Sequence, residues 1–124
     1  MIETMAAMQD SHNKHVHPDW LTQGYEYYRA VWVECAELLD HFGWKWWKKQ
    51  TPDLDQVKLE IVDIWHFGLS DLIRADELEY AVPRLLAAST PSEPDADAFR
   101  LAVETLAEIT LAQRAFTIEP FAAV

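Results

Sequence analysis

The sequence has little cysteine, glycine or positive charge, and these shortages exclude several classes of protein. Cys35 is the only cysteine, so an intrachain disulfide is impossible and a reducing compartment is favoured. Ten basic side chains against 21 acidic ones leave a net charge of −11, which argues against nucleic-acid binding. No apolar run approaches the roughly 18 residues of a membrane-spanning helix, and the N-terminus lacks the basic start of a signal peptide. We therefore expect a cytoplasmic protein that binds neither nucleic acid nor a membrane.

Helical periodicity runs through the 124 residues, half of which are apolar. No segment alternates as a half-buried strand does, and the length is that of one domain. We therefore expect a single all-α domain over residues 1–124, a bundle of about five helices. The predicted helices cover residues 1–14, residues Leu21–Phe42 with Thr22 as the cap, a stretch starting at Asp53 or Asp55, residues Leu78–Ala88 and residues Asp95–Phe116.

Three local features complete this prediction. Pro83 either weakens the fourth helix or marks its start, and residues 89–94 are predicted to form a loop. The third helix is apolar on nearly all sides between Leu59 and Leu69, which is typical of a helix at the centre of a bundle.

Two pairs of acidic residues interrupt the apolar helices with the same spacing. Glu34 and Glu37 lie in the second helix, and Glu60 and Asp63 lie in the third. Residues three apart share one helix face, so two such helices packed side by side would bring four carboxylates together. Buried carboxylates need a counter-charge, and Mg²⁺ is a hard cation that prefers oxygen ligands. The alternative is a solvated acidic face, which is disfavoured because the second pair interrupts the most apolar helix.

Further polar and aromatic residues are candidates for a nucleotide site, each with a structural alternative. His66, one turn after Asp63, either contacts a ligand or is a hydrogen-bonded core residue. The rings of the segment 44–49 either pack in a core or interface, or stack on a base with the lysines near phosphates. We expect at least one of these tryptophans in the core and one at a pocket. The amides of Gln9 and Asn13 either read a uracil edge or form an exposed helix end.

The acid pairs belong to longer strings, ECAELLDHFGWKWWK from Glu34 to Lys48 and EIVDIWHF from Glu60 to Phe67. Together these strings resemble the dimeric, all-α dUTPases. Those enzymes belong with the MazG-like all-α nucleoside triphosphate pyrophosphatases, which have ExxE and, after a gap, ExxD as their signature. The resemblance extends over roughly residues 5–76. It implies a homodimer that converts dUTP to dUMP and pyrophosphate, with dUDP as a further substrate.

The resemblance also assigns roles to individual residues. The positions that match the metal ligands are Glu34, Glu37, Glu60 and Asp63, for two or more Mg²⁺ ions with Mn²⁺ as the alternative. Glu37 matches the carboxylate that activates the attacking water. The positions that match the substrate-binding residues are Gln9, Asn13, Trp46 or Trp47, Lys48, His66 and Phe67. One departure concerns the family's phosphate-binding motif, approximately NxLxxFR followed by Gly-Tyr, which has no counterpart after Asp76.

Two other functions are compatible with the same residues. One is a MazG-like house-cleaning pyrophosphatase that acts on another or a modified dNTP. The other is a non-catalytic relative that binds nucleotide without turnover. Hydrolysis rates over a panel of dNTPs separate these alternatives from a dUTPase.

Overall fold

The computed structural model describes residues 2–88 and 95–124, with the side chains of Val82, Leu86 and Ala88 left out of the description. Within these residues the protein is built from helices and has no strand, which confirms the all-α class. The helices are α1 (Ile2–Val16), α2 (Tyr27–Phe42), α3 (Leu54–Arg74), α4 (Leu78–Ala88), α5 (Ala96–Gln113) and α6 (Ile118–Ala122), and a short 3₁₀ turn spans Trp20–Thr22. In the part of the chain described here, no helix is long and apolar enough to cross a membrane. The loop predicted for residues 89–94 lies outside the described residues.

Helices α2 and α3 form the centre of the molecule and pack along each other. Helix α5 lies against α2, α1 lies against α3, and α6 packs on α4 and α5. The buried apolar core takes Val31, Cys35, Leu38, Val57, Ile64, Leu72, Ala81, Val103, Leu106, Phe116 and Ile118 from five of the helices and the turn before α6. The residues that α2 contributes to this core, Val31, Cys35 and Leu38, follow one another along one face of the helix.

The start of α2 corrects the sequence prediction. Helix α2 begins at Tyr27, whereas the apolar pattern predicted a start at Leu21. Gly24 lies between them with a φ of 68°, a left-handed conformation that a continuous α-helix does not contain. The residues before Gly24 therefore form a separate 3₁₀ turn. Thr22 does not cap α2, whose N-cap is Glu26 without a side-chain hydrogen bond.

Aspartate caps fix the starts of α3 and α5. The Asp53 carboxylate accepts a hydrogen bond from the backbone N–H of Gln56, as the first of the two predicted starts requires. Asp95 accepts from the backbone N–H groups of Asp97 and Ala98. Both caps satisfy donors that the first turn of a helix leaves without an intrahelical partner.

The chain after α3 differs from the prediction in three places. Pro83 lies inside α4, so it does not mark the start of that helix. Helix α5 ends at Gln113 rather than at Phe116, because Arg114 adopts a left-handed φ of 53°. A sixth helix, α6, follows and was not predicted, since five residues are too few to show a helical period.

Helix α3 is closely packed at Gly68 but partly uncovered at Leu59 and Val62. A Cβ atom on Gly68 would lie 2.6 Å from the ring of Phe116, so a glycine is needed for this close approach. Helix α3 contacts α1, α2 and α4, as expected of a central helix. Leu59 and Val62 nevertheless remain 55% and 46% exposed, which leaves an apolar stripe of α3 uncovered within this chain.

Candidate functional site

Three carboxylates converge between α2 and α3. Glu34 and Glu37 lie one turn apart on α2, Glu60 lies on α3, and each places a carboxylate oxygen within 4.8 Å of the other two. Glu60 is buried, Glu34 is half-buried and Glu37 is exposed. We call this group the carboxylate cluster. The fold therefore brings together three of the four residues predicted to bind metal.

The electrostatics of the carboxylate cluster favour a cation. The Oε2 atoms of Glu34 and Glu60 are buried and accept no hydrogen bond from any described residue. His41 Nε2 lies 3.5 Å from Glu60 Oε1. Burial, followed by the nearby carboxylates of Glu60 and Glu37, raises the pKa of Glu34 to about 8. Closely spaced carboxylate oxygens are suitable ligands for a hard divalent cation once their protons are lost, so these residues fit such an ion.

Asp63, the fourth predicted ligand, is not part of the carboxylate cluster. It lies one turn after Glu60 on α3, is exposed, and lines a cavity of about 370 Å³ beside α1 and α3. We call this space the base cavity. The residues that line it include four of those predicted to bind the substrate, namely Gln9, Asn13, His66 and Phe67. Asp63 thus belongs to the base cavity, one helical turn from the carboxylate cluster.

A chain of hydrogen bonds links α1 to α3 along one side of the base cavity. Gln9 Nε2 donates to Asn13 Oδ1 at 2.8 Å, and Asn13 Nδ2 donates to Ser70 Oγ at 2.9 Å. Ser70 Oγ in turn donates to the backbone carbonyl of His66 at 2.9 Å. Asn13 and Ser70 are both buried. The polar groups on this side are therefore held in place by the protein itself.

Aromatic side chains form another side of the base cavity. Tyr27 lies beside Phe67, with ring centroids 6.4 Å apart and planes inclined by 34°. Trp20 meets Tyr27 edge-on at 6.1 Å, and its indole N–H donates to Asp10 Oδ1 at 2.9 Å. Tyr25 also lines the cavity. A cavity with flat apolar surfaces and a few fixed polar groups suits a planar heterocycle.

Arg74 supports the segment that carries these tyrosines. Its guanidinium donates to the backbone carbonyl of Tyr25 and to Asp71 Oδ1, and it lies over the Tyr27 ring at 5.0 Å. The buried Asp71 also accepts from the backbone N–H of Phe116 through Oδ2, at 2.9 Å. One buried acid and one arginine thus connect the segment before α2, the end of α3 and the turn before α6.

The tryptophan-rich turn after α2 lies apart from the base cavity. Trp44, Trp46 and Trp47 are all exposed, with Trp46 at 86%, so the expectation that one of them is in the core is wrong for this chain. Trp44 lines a groove of about 650 Å³ together with Glu37. Trp46, Trp47 and the exposed Lys48 are not among the residues that line this groove or the base cavity.

Sequence reasoning missed several residues at these two places, and only some of them carried a signal. Ser70 follows His66 by one helical turn, so the helical spacing places it on the same face. His41 follows Glu34 by two turns and was recognisable in the same way. Tyr25 and Tyr27 carried no such signal, and Tyr25 in addition was predicted to lie inside a helix that begins only at Tyr27.

The sequence was compared with family models, curated proteins and solved structures to identify the family of this chain. No curated protein and no solved structure matches the chain. The family model described as dUTPase matches residues 1–119, a longer stretch than the residues 5–76 that carry the visible resemblance. This match confirms the resemblance to the all-α dUTPases and is consistent with the link to the MazG-like enzymes. The chain therefore belongs to the dUTPase family, the dUTP diphosphatases.

Proposed function

We propose that the protein hydrolyses dUTP to dUMP and pyrophosphate in a Mg²⁺-dependent reaction. The observation that supports this most is the pair of buried, unpartnered oxygens on Glu34 and Glu60. The ligands would be Glu34, Glu37, Glu60 and Asp63, for two or more Mg²⁺ ions with Mn²⁺ as the alternative. When bound, such ions neutralise phosphate charge and lower the pKa of the attacking water.

We assign Glu37 as the general base. Its carboxylate is the exposed member of the carboxylate cluster and is therefore accessible to water. It takes a proton while the water oxygen bonds to the α-phosphorus, and the bond from that phosphorus to the α,β-bridging oxygen breaks. The electron pair of the broken bond leaves with pyrophosphate. In dUDP the same bond would release phosphate, so we include dUDP as a second substrate.

We assign recognition of the base to the base cavity. Phe67 provides an aromatic face, while Asn13, Gln9 and His66 provide donors and acceptors at fixed positions. A site built to hydrogen-bond one base edge rejects a mismatched edge, because its own buried polar groups are then left unpaired. This supports a preference for uracil over cytosine.

We assign Trp46, Trp47 and Lys48 to the outer part of the substrate, where the lysine would meet phosphate. Their support is the neighbouring Trp44, which shares a groove with Glu37. The lysines of this turn also supply positive charge in a chain of net charge −11, which a polyanionic substrate requires nearby.

We also propose a homodimer that acts in the cytoplasm as a single domain. The exposed Leu59 and Val62 on α3 support a self-complementary helix-to-helix interface. Cys35 is the only cysteine and is buried, which suits a reducing compartment. Sedimentation at micromolar concentration tests the assembly, and a monomer under those conditions contradicts it.

The decisive experiment is pyrophosphate release from dUTP with Mg²⁺, with Mn²⁺ and with a chelator. In ¹⁸O-labelled water, attack at the α-phosphorus places the label in dUMP, whereas attack at the β-phosphorus places it in pyrophosphate. A panel of dNTPs in the same assay tests the substrate. Faster hydrolysis of another dNTP would identify the protein as a house-cleaning pyrophosphatase instead of a dUTPase. Mg²⁺-dependent binding without turnover would identify it as a non-catalytic relative.

A further inference from the structure

We propose that Ser70 is a positioning residue that determines base specificity by fixing the direction of the Asn13 side-chain amide. This rests on the proposed function, in which Asn13 contacts the base. Ser70 itself lines the base cavity but lies almost wholly beneath its surface, with 1% of its area exposed. Its effect on the substrate therefore passes through Asn13.

The direction of the amide follows from which atoms can donate. The backbone carbonyl of His66 can only accept, so the Ser70 hydroxyl must use its one proton in that 2.9 Å hydrogen bond. Ser70 Oγ is then left with lone pairs alone on the side of Asn13. The group it meets there at 2.9 Å must be the donor, the –NH₂ of Asn13. A reversed amide would place the Asn13 oxygen against an oxygen that has no proton left to share.

Ser70, rather than Gln9, sets this direction. Gln9 donates to Asn13 Oδ1 at 2.8 Å, but it is only half-buried and carries an amide of its own. If Asn13 reversed, Gln9 could reverse as well and keep a hydrogen bond of the same length. The Ser70 hydroxyl has no such freedom while it is bonded to the His66 carbonyl. Asn13 is itself 93% buried, so water does not readily replace a lost partner.

A fixed amide lets the cavity distinguish two bases of similar shape. Uracil presents an N3–H donor between two carbonyl acceptors, whereas cytosine presents a bare N3 beside an amino donor. An Asn13 amide free to rotate by 180° would match either pattern by exchanging its oxygen and nitrogen. With the direction of the amide fixed by Ser70 and the base held by Phe67, the oxygen of Asn13 can accept from the N3–H of uracil. It finds no donor at the bare N3 of cytosine.

The test is Ser70→Ala, which removes the hydroxyl and so allows the amide to turn. We expect the ratio of kcat/KM for dUTP over dCTP to fall roughly tenfold, the change that corresponds to about one hydrogen bond. The fall should appear mainly as a lower KM for dCTP and a higher KM for dUTP. The dissociation constants of dUMP and dCMP, measured by calorimetry, should likewise become more similar, and this readout does not depend on turnover.

Thr110→Val is the matched control. Thr110 is fully buried on α5, its hydroxyl has no hydrogen-bond partner among the described residues, and it does not line the base cavity. Its substitution also removes a buried hydroxyl, so it should leave the dUTP to dCTP ratio unchanged. Ser70→Cys keeps the shape of the side chain, in a slightly larger form, with a much weaker hydrogen-bonding group. It should lower the ratio as well and serves if Ser70→Ala does not fold.

The outcomes separate this inference from the proposed function. A selective wild type whose ratio survives both Ser70 substitutions overturns the role of Ser70 and leaves the dUTPase intact. A wild type that treats dUTP and dCTP alike overturns the role of Ser70 together with the uracil pocket. Equal losses on both nucleotides, with the ratio retained, show that Ser70 only stabilises the fold and also overturn the inference. A ratio that falls in the Ser70 variants but not in Thr110→Val supports it.

Discussion

The carboxylate cluster and the base cavity lie one turn apart along α3, yet they differ in whether their buried polar atoms have hydrogen-bond partners. In the base cavity, Asn13 and Ser70 are paired through hydrogen bonds within the protein. In the carboxylate cluster, the buried Oε2 atoms of Glu34 and Glu60 have no partner among the described residues. The cavity is therefore preorganised by the chain itself, whereas the cluster is completed only by added positive charge. Changes in the cluster should alter turnover, and changes in the cavity should alter the choice of base.

The largest expected effect comes from Glu60→Gln, which removes a buried charge from the carboxylate cluster and keeps the shape. We expect Mg²⁺-dependent pyrophosphate release from dUTP to fall by about 10³-fold or more, as losses of electrostatic stabilisation at active sites commonly do. Circular dichroism should show an unchanged helical fold. Asp63→Asn should act in the same direction and tests whether Asp63 functions with the cluster despite lying in the cavity.

Glu108→Gln is the control for these two substitutions. It removes the same charge from an exposed position on α5 and should leave the rate unchanged. If Glu60→Gln and Asp63→Asn both turn over dUTP at the wild-type rate, the metal site is placed wrongly.

A smaller and more selective effect is expected in the base cavity. Asn13→Ala should lower kcat/KM for dUTP more than for dCTP, because it removes a contact that depends on the base edge. Phe67→Leu should instead weaken the binding of both nucleotides about equally. Stacking on a ring does not depend on base identity and contributes about 1–3 kcal/mol per base. Steady-state kinetics on both nucleotides measure the two ratios. A ratio that moves in Phe67→Leu and stays constant in Asn13→Ala would reverse the assignment.

The difference between the two regions also explains how far sequence reasoning reached. Glu34 and Glu37 share a face because the spacing of a helix dictates it, so their proximity was predictable. Whether α3 turns Glu60 or Asp63 toward that face was not. Residues three apart differ by about 60° around a helix, and only the packing of α3 on α2 decides which one points inward. The packing turned Glu60 inward and left Asp63 in the base cavity.

Apart from Phe67, the aromatic side of the cavity was beyond prediction for a different reason. Apolar periodicity continued from Leu21 into α2, so the sequence indicated one long helix. A single left-handed residue, Gly24, ends that pattern and leaves Tyr25 outside a helix. The helix starts at Asp53 and Asp95, in contrast, depend on local capping chemistry and were predicted to within a residue. Local rules therefore sufficed for these two helix starts, while the position of Tyr25 at the cavity depended on one backbone conformation.

The raised pKa of Glu34 predicts how the stability of the metal-free protein depends on pH. The folded protein holds this proton up to about pH 8, whereas the unfolded chain releases it near pH 4.5. The free energy of unfolding should therefore fall as the pH rises from about 5 to 8, by about 1–2 kcal/mol in total once partial exposure is allowed for. Thermal melting in chelator should show this fall in the wild type and a flatter profile in Glu34→Gln.

Added Mg²⁺ should stabilise the protein to an extent that depends on pH. Because a carboxylate must lose its proton to bind metal, Mg²⁺ should raise the melting temperature more at pH 8 than at pH 5. The base-cavity variant Asn13→Ala should show the wild-type response. Identical pH profiles of stability for the wild type and Glu34→Gln would mean that folding does not raise the pKa of Glu34.

The smallest expected effect tests whether the base cavity is held from outside. In Arg74→Lys the charge near Asp71 remains, but a single ammonium replaces the planar fork that joins Asp71 to the Tyr25 carbonyl and covers the Tyr27 ring. Contacts of a partly exposed arginine contribute about 1 kcal/mol or less, so we expect the KM for dUTP to rise by about fivefold at most. The value of kcat should stay near that of the wild type, because the carboxylate cluster is untouched.

Arg100→Lys is a closely matched control for this last variant. Arg100 also donates to a backbone carbonyl, that of Gly43, and to an aspartate three residues before it, and it lies over the Phe42 ring at 5.1 Å. It does so from α5 and does not line the base cavity. If both lysine variants raise KM equally, the effect reflects general loosening of the bundle. A rise confined to Arg74→Lys means that the tyrosine segment before α2 is positioned by Arg74, and that the preorganisation of the cavity extends beyond the residues that line it.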